Sequence, residues 1–192
     1  MMTRFLEAIV RLLLPIINRV YVAVLGIKPL HHDSIICVEV RRHKGSPVRL
    51  KDGCEVNPGD EVIKLHLNNA WIARKWRRNS APGTRDFRRG LIYYFKESLE
   101  LLARELADGK YRGAVAIYGW TAFHTQAGRL GFQVMDLPDS LRTKLARLHI
   151  TALLRDHQTS WSKKRGSSRK PVTVKAIWVS RAQLLRMYSL AL

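Results

Sequence analysis

Acidic side chains are scarce in this chain. Over 192 residues, 15 Asp and Glu stand against 34 Lys and Arg, which leaves a formal net charge of +19 and a pI near 10.7. A field of that sign attracts polyanions, whether nucleic acid, an anionic membrane surface or an anionic polymer. Composition alone does not choose among them, and helix faces solvated by Arg give the same balance. Cysteine is scarcer still. Cys37 and Cys54 stand alone, without paired spacing, so neither a disulfide framework nor a cysteine metal cluster is available. Buried free thiols in a reducing, cytosolic compartment are the expectation. Also missing are a secretory cleavage signal, a G-x-S-x-G elbow, a Walker lysine, any CxxC or HxxxH spacing and a carboxylate pair placed for acid and base work. No internal repeat is present, no metal site is expected and no cofactor is implied.

What is present is enough apolar material, 46% of residues, to fill a core. The pattern predicts an appendage over 1–30 and a single domain over 31–192. Residues 3–25 read as an amphipathic helix, because Arg4, Glu7, Arg11 and Asn18 recur at helical spacing beside a broad apolar surface. Arg11 and Pro15 weigh against a membrane span, which leaves an interfacial helix or one packed on its own domain. Gly26 and Pro29 stop it. Short β-branched runs with tight reversals follow from Ser34 to Val56 and predict an antiparallel meander.

The stretch from Asn57 to Ala73 organises the rest. Asn57-Pro58-Gly59-Asp60 is turn chemistry, and the run from Glu61 alternates, with Ile63, Leu65 and Leu67 on one face and Lys64, His66 and Asn68 on the other. His66 and Asn68 are therefore expected to look outward together, with Asn68 and Asn69 ending the strand and capping the next helix. That helix carries Arg74, Lys75, Arg77 and Arg78 beside Trp71 and Trp76. The mixture suits phosphate contact with base stacking or anchorage among lipid headgroups, and equally an Arg-solvated helix with its indoles inward.

Arg85 to Ala107 is the longest expected helix, closed by Asp108-Gly109. Arg112 to Tyr118 then reads as a buried strand, followed through Gly119-Trp120-Thr121 by a helix near 122–130 and a strand at 131–135. This is a tight βαβ unit whose second strand runs parallel to its first. The corner formed by Gly119, Trp120 and Thr121 presents helix-opening amides to a carboxylate or phosphate, with His124 one turn in. A helix from Ser140 to about His157 comes next, and 159–171 predicts a mobile basic loop bearing Lys163, Lys164, Arg165, Arg169 and Lys170. A last strand follows, and Ser180 caps a final helix.

Two of the seven histidines, His66 and His124, are the candidates for acid and base chemistry, since a strand end and a helix start can project them into one cleft. Hydrogen-bonded structural roles are the alternative. The segment Pro-Gly-Asp-Glu-Val-Ile-Lys-Leu-His-Leu-Asn-Asn, the Leu130-Gly131-Phe132 turn and the terminal Trp-Val-Ser-Arg-Ala-Gln-Leu-Leu run resemble the YkoP-like domain family over about residues 33–190. That family occurs alone or beside polysaccharide-deacetylase modules. The resemblance implies an envelope-linked or membrane-proximal role and assigns no catalytic residue; His66, Asn68 and Asn69 carry over as family-like positions.

The expected fold is α+β: a mixed β-sheet, an antiparallel meander plus a βαβ unit, with packed helices and an amphipathic N-terminal helix. The expected function is that of a cytosolic module, peripheral at the inner face of the membrane or tied to the cell envelope. Its anionic ligand would be held by His66, Asn68, Asn69, Gly119, Trp120, Thr121 and His124. A transferase or hydrolase acting on a lipid or glycan with a His base is the alternative, and nucleic-acid binding through Arg74–Arg78 and Lys163–Lys170 a further one.

Overall fold

A computed structural model describes residues 26–79, 85–140, 143–147, 150 and 173–188. Its frame is a six-stranded sheet in the order β1-β2-β5-β6-β8-β7. The strands are β1 (Lys28–Pro29), β2 (Ile36–Arg42), β5 (Glu61–Leu67), β6 (Ala114–Thr121), β7 (Gln133–Met135) and β8 (Lys175–Ser180). β3 (Val48–Arg49) and β4 (Glu55–Val56) form a separate two-stranded ribbon. The helices are α1 (Asn69–Asn79), α2 (Arg85–Ala107), α3 (His124–Arg129) and α4 (Arg181–Tyr188). The α+β class expected from the sequence is the class observed. The N-terminal helix over residues 3–25, the basic loop at 159–171 and most of the helix expected after Ser140 lie outside the described residues.

Two connections differ from the expected layout. The meander does not run β2-β3-β4-β5: β2 pairs with β5 directly, antiparallel from Ile36↔Leu67 to Arg42↔Glu61, and the ribbon is set aside as its own hairpin. The turn at Asn57 makes this possible. Asp60 folds its carboxylate back onto the Asn57 amide at 2.7 Å, and Gly59 takes φ +95°. The parallel pair of the sheet is β5 with β6, joined by the long crossover through α1 and α2. In the βαβ unit expected at β6-α3-β7, the two strands do run in the same direction, but β8 lies between them, antiparallel to both.

Alternation along the strands gives the sheet two unlike faces. One carries Ile36, Val38, Ile63, Leu65, Ile117 and Val179 and is covered by the helices, which contribute Trp71 and Ile72 from α1, Leu99, Leu102 and Leu106 from α2, Ala127 from α3 and Leu184 from α4. The other face carries a smaller cluster in which Val62, Ala116, Tyr118 and Trp178 pack with Leu50 and Val56 near the ribbon. Tyr118 stacks on Trp178 with ring centroids 4.5 Å apart.

The end of the longest helix is fastened to the last one. Gly109, at φ +85°, closes α2, and the Arg181 guanidinium at the start of α4 donates to the carbonyls of Leu106, Tyr111 and Arg112. Ser180 accepts from the Gln183 amide at 2.9 Å as the cap of α4 and gives its own hydroxyl proton to Asp52 in the ribbon turn. These bonds set where β6 begins and hence where Tyr118 and Trp120 fall. Replacing Arg181 by Leu leaves those carbonyls without their donor and is expected to cost about 1.5–3 kcal/mol, to be read from urea unfolding of the variant against the parent.

Candidate functional site

The polar side of the central strands is where charged groups converge. In β2, Cys37, Glu39 and Arg41 share a face; in β5, Val62, Lys64 and His66 share the same one, since Glu39 stands opposite Lys64 and Cys37 opposite His66. Lys64 is in turn beside Tyr118 of β6, which places Trp120 on that face as well. The sequence reading expects this face to look outward. It is instead largely covered: Glu39 is 4% and Lys64 5% exposed. A carboxylate and an ammonium tolerate such burial only in each other's company.

The geometry supplies that company. His66 Nε2 lies 2.9 Å from Glu39 Oε2, Arg41 donates to Glu39 Oε1 at 3.2 Å, and Lys64 Nζ is 3.9 Å from Oε2. The Lys64 ammonium also sits 5.1 Å from the centroid of the Trp120 ring. Burial pushes the Glu39 carboxyl up, but the His66 hydrogen bond and the charges of Lys64 and Arg41 outweigh it, so the group is held below the usual carboxylate range. Burial acts the other way on His66. Loss of solvent, with Lys64 and Arg41 adding to it, brings the ring below the usual imidazole value despite its bond to Glu39. Cys37, across from His66, is pushed up to about 11 by burial alone and is a thiol.

Glu39 is the member that the sequence reading passes over. The signal was there: in Ile36-Cys-Val-Glu-Val-Arg-Arg, a carboxylate interrupts a β-branched run on the face opposite Val38 and Val40, and complementary charges alternate in β5. The other expected site residues fall elsewhere. Asn68 is occupied structurally, its Oδ1 accepting from the Trp71 amide at 3.0 Å as the helix cap and its Nδ2 donating to the Ser34 carbonyl at 3.3 Å. Asn69 is the first residue of α1. Thr121 Oγ1 accepts from the Phe123 amide at 2.9 Å, and Gly119 lies within β6, where its neighbours are Leu65 and Ile177. The helix behind that corner, α3, has only 6 residues and no side-chain cap, too few for much of a macrodipole.

His124 opens α3, whose Ala127 belongs to the helix-covered core, and its buried Nδ1 has no hydrogen-bond partner among the described residues. Among the described residues no hydrogen bond or ring contact joins His124 to His66. Of the basic residues expected at the surface, Arg74 is exposed, and Lys75 lies over the rings of Trp71 and Tyr94 at 5.7 and 4.9 Å. Trp71 itself is in the core, so its indole is not free to stack on a base. The side chains of Arg77 and Arg78, and the whole of Lys163, Lys164, Arg165, Arg169 and Lys170, lie outside the described residues. Among the described residues no group of His, Cys, Asp and Glu gathers as a metal site, and no helix is long and apolar enough to cross a membrane.

A family model described as the YkoP domain matches residues 7–188. The chain belongs to the YkoP domain family. The match begins inside the segment that the sequence reading sets apart as an appendage, so the family's own extent takes in most of that segment. A curated YkoP relative, "Uncharacterized protein YkoP" of Bacillus subtilis (strain 168), is 30% identical over 105 residues, 53% of this chain and 55% of the relative. The chain thus spans about half the length of that relative. No solved structure matches.

Two outcomes follow for Glu39 and His66. Glu39→Ala leaves the Lys64 ammonium without the carboxylate beside it and is expected to destabilise the fold by about 3–5 kcal/mol, with Glu39→Gln costing less; chemical denaturation of both variants checks this. The second concerns pH. Because the folded chain holds His66 below its ordinary 6.5, the unfolded chain takes up a proton first, and the stability due to the neutral ring is complete above that pH and drains away as pH falls toward the folded value. Glu39 adds a second loss starting below its ordinary 4.5. Unfolding free energies measured at descending pH are expected to fall in those two stages, with the earlier stage weakened in His66→Gln.

Proposed function

We propose that this chain is an anion-recognising module that works at the inner face of the membrane or in association with the cell envelope, and that its ligand meets the part-exposed Arg41 and His66 at the edge of the buried Glu39–Lys64 pair. The observation that carries the reading is the part-exposed Arg41 guanidinium beside the Glu39 carboxylate: its side chain keeps 17% exposure, and Lys64 also borders Glu39 at 3.9 Å. The guanidinium offers a planar set of donors to an anion at the open edge of that face. The net charge of +19 raises the local concentration of any anion near the protein. The company that the family keeps with polysaccharide-deacetylase modules supports an envelope-linked setting.

The test is co-sedimentation of the full chain with vesicles of phosphatidylglycerol and phosphatidylcholine and with vesicles of phosphatidylcholine alone, each at low and high salt and with inorganic phosphate as competitor. Binding to the anionic vesicles that weakens with salt, and that drops severalfold in Arg41→Gln, is the expected result. Relief by inorganic phosphate indicates a soluble anion as the ligand rather than a lipid headgroup. Equal binding to both vesicle types, or binding indifferent to Arg41, overturns the proposal.

A further inference from the structure

Most of the polar atoms around Glu39 are used up by one another, and one is not. Both carboxylate oxygens are engaged, Oε1 with Arg41 and Oε2 with His66 and Lys64. An ionised carboxylate has only lone pairs to offer, so the proton in the bond of 2.9 Å between Oε2 and Nε2 belongs to the ring. A neutral imidazole protonated at Nε2 carries its free lone pair on Nδ1. Among the described residues Nδ1 has no hydrogen-bond partner, and it is not sealed from solvent, the His66 side chain being 18% exposed. This combination of a fixed tautomer, a carboxylate behind the ring and an open nitrogen in front is what general bases require.

We infer that Glu39 and His66 form a proton-accepting pair in which His66 Nδ1 takes the proton of a ligand hydroxyl or of water, and Glu39 is the positioning residue. The inference rests on the anionic-ligand reading for the class of substrate, an anion that also bears a hydroxyl. The step balances simply. The O–H bond breaks, its proton moves to Nδ1, its electron pair stays on oxygen, and the imidazolium so formed lies against the Glu39 carboxylate. The proton returns to the product when the ring is restored.

Among the described residues, the sheet neighbours on the face of the ring are few. From β2 they are Cys37, Glu39 and Arg41; from β5, Lys64 and Asn68; from β6, Trp120. Cys37 stays protonated and does not compete as a base, and Asn68 is spent on the cap of α1. Lys64 and Arg41 oppose a second positive charge nearby, so the ring remains in its proton-accepting form at neutral pH. Among the described residues, by contrast, no hydrogen bond or ion pair joins His124 to a carboxylate.

The test uses the full chain with nitrogen-15 in its histidines. Long-range nitrogen–proton correlation spectra are expected to place the proton of His66 on Nε2 at neutral pH and to show Nδ1 titrating below the ordinary imidazole range. Carbethoxylation by diethyl pyrocarbonate, followed at His66 by peptide mass spectrometry, is expected to proceed in the folded chain and to follow the same titration. In Glu39→Gln, whose fold is checked by the same spectra, both tautomers are expected and the reaction slows severalfold. A proton on Nδ1 in the parent chain overturns the inference, as does a His66 that reacts only after denaturation. Neither readout involves vesicles or phosphate, so the loss of the anion-recognition reading and the loss of this one are separate events.

Discussion

The carboxylate of Glu39 is the constraint on which the polar half of the sheet depends. It is buried, and it is the group through which Arg41, His66 and Lys64 are brought together across β2 and β5. A slip of one residue between these strands would turn Lys64 and His66 toward the helices and send Ile63 and Leu65 to the polar side. The apolar pattern alone would resist that slip. The charged pattern resists it as well, because a Lys64 ammonium turned into the hydrocarbon of that core would leave the Glu39 carboxylate behind on the other face. Register in the centre of the sheet is thereby specified by two independent sets of side chains.

The same strands serve two different purposes because their faces are finished differently. Toward the helices the sheet is continuous hydrocarbon from Ile36 to Val179. Toward the other side it grades along each strand, from Val62 and Ala116, which pack with the aromatic pair of Tyr118 and Trp178, to Lys64, His66 and Trp120 at the opposite end. The apolar end holds the ribbon in place through Leu50 and Val56, while the polar end holds charge. Trp120, packed against the apolar cluster with the Lys64 ammonium over its ring, joins the two ends.

Much of this was legible in the residues alone. The turn at Asn57-Pro58-Gly59-Asp60, the alternation of β5, the stop at Gly109 and the caps at Asn68 and Ser180 are local features, and each was visible because its cause lies within a few neighbouring residues. The pairing of β2 with β5 and the entry of β8 between β6 and β7 were not, since both are decided by contacts between segments far apart in the chain. The candidate site divides along the same line. His66 stood out because histidine at a strand end is conspicuous, whereas Glu39 is one carboxylate in a valine-rich run, and only the register across to Lys64 shows what it answers to. The expectation of a cleft shared by His66 and His124 came from placing both near strand ends, which fixes height along the sheet but not the side from which each is reached.

The position of β8 has a bearing on how the molecule is made. It supplies the partner for the edges of both β6 and β7, and it is the last strand described in the chain. While a ribosome is still synthesising the stretch after Met135, β6 therefore presents a bare row of amides and carbonyls, and β7 has nothing to pair with. Nascent chains of this protein carry an open, sticky edge in the middle of the future sheet until β8 threads in, and a cell that makes much of it has reason to shield that edge in the interval.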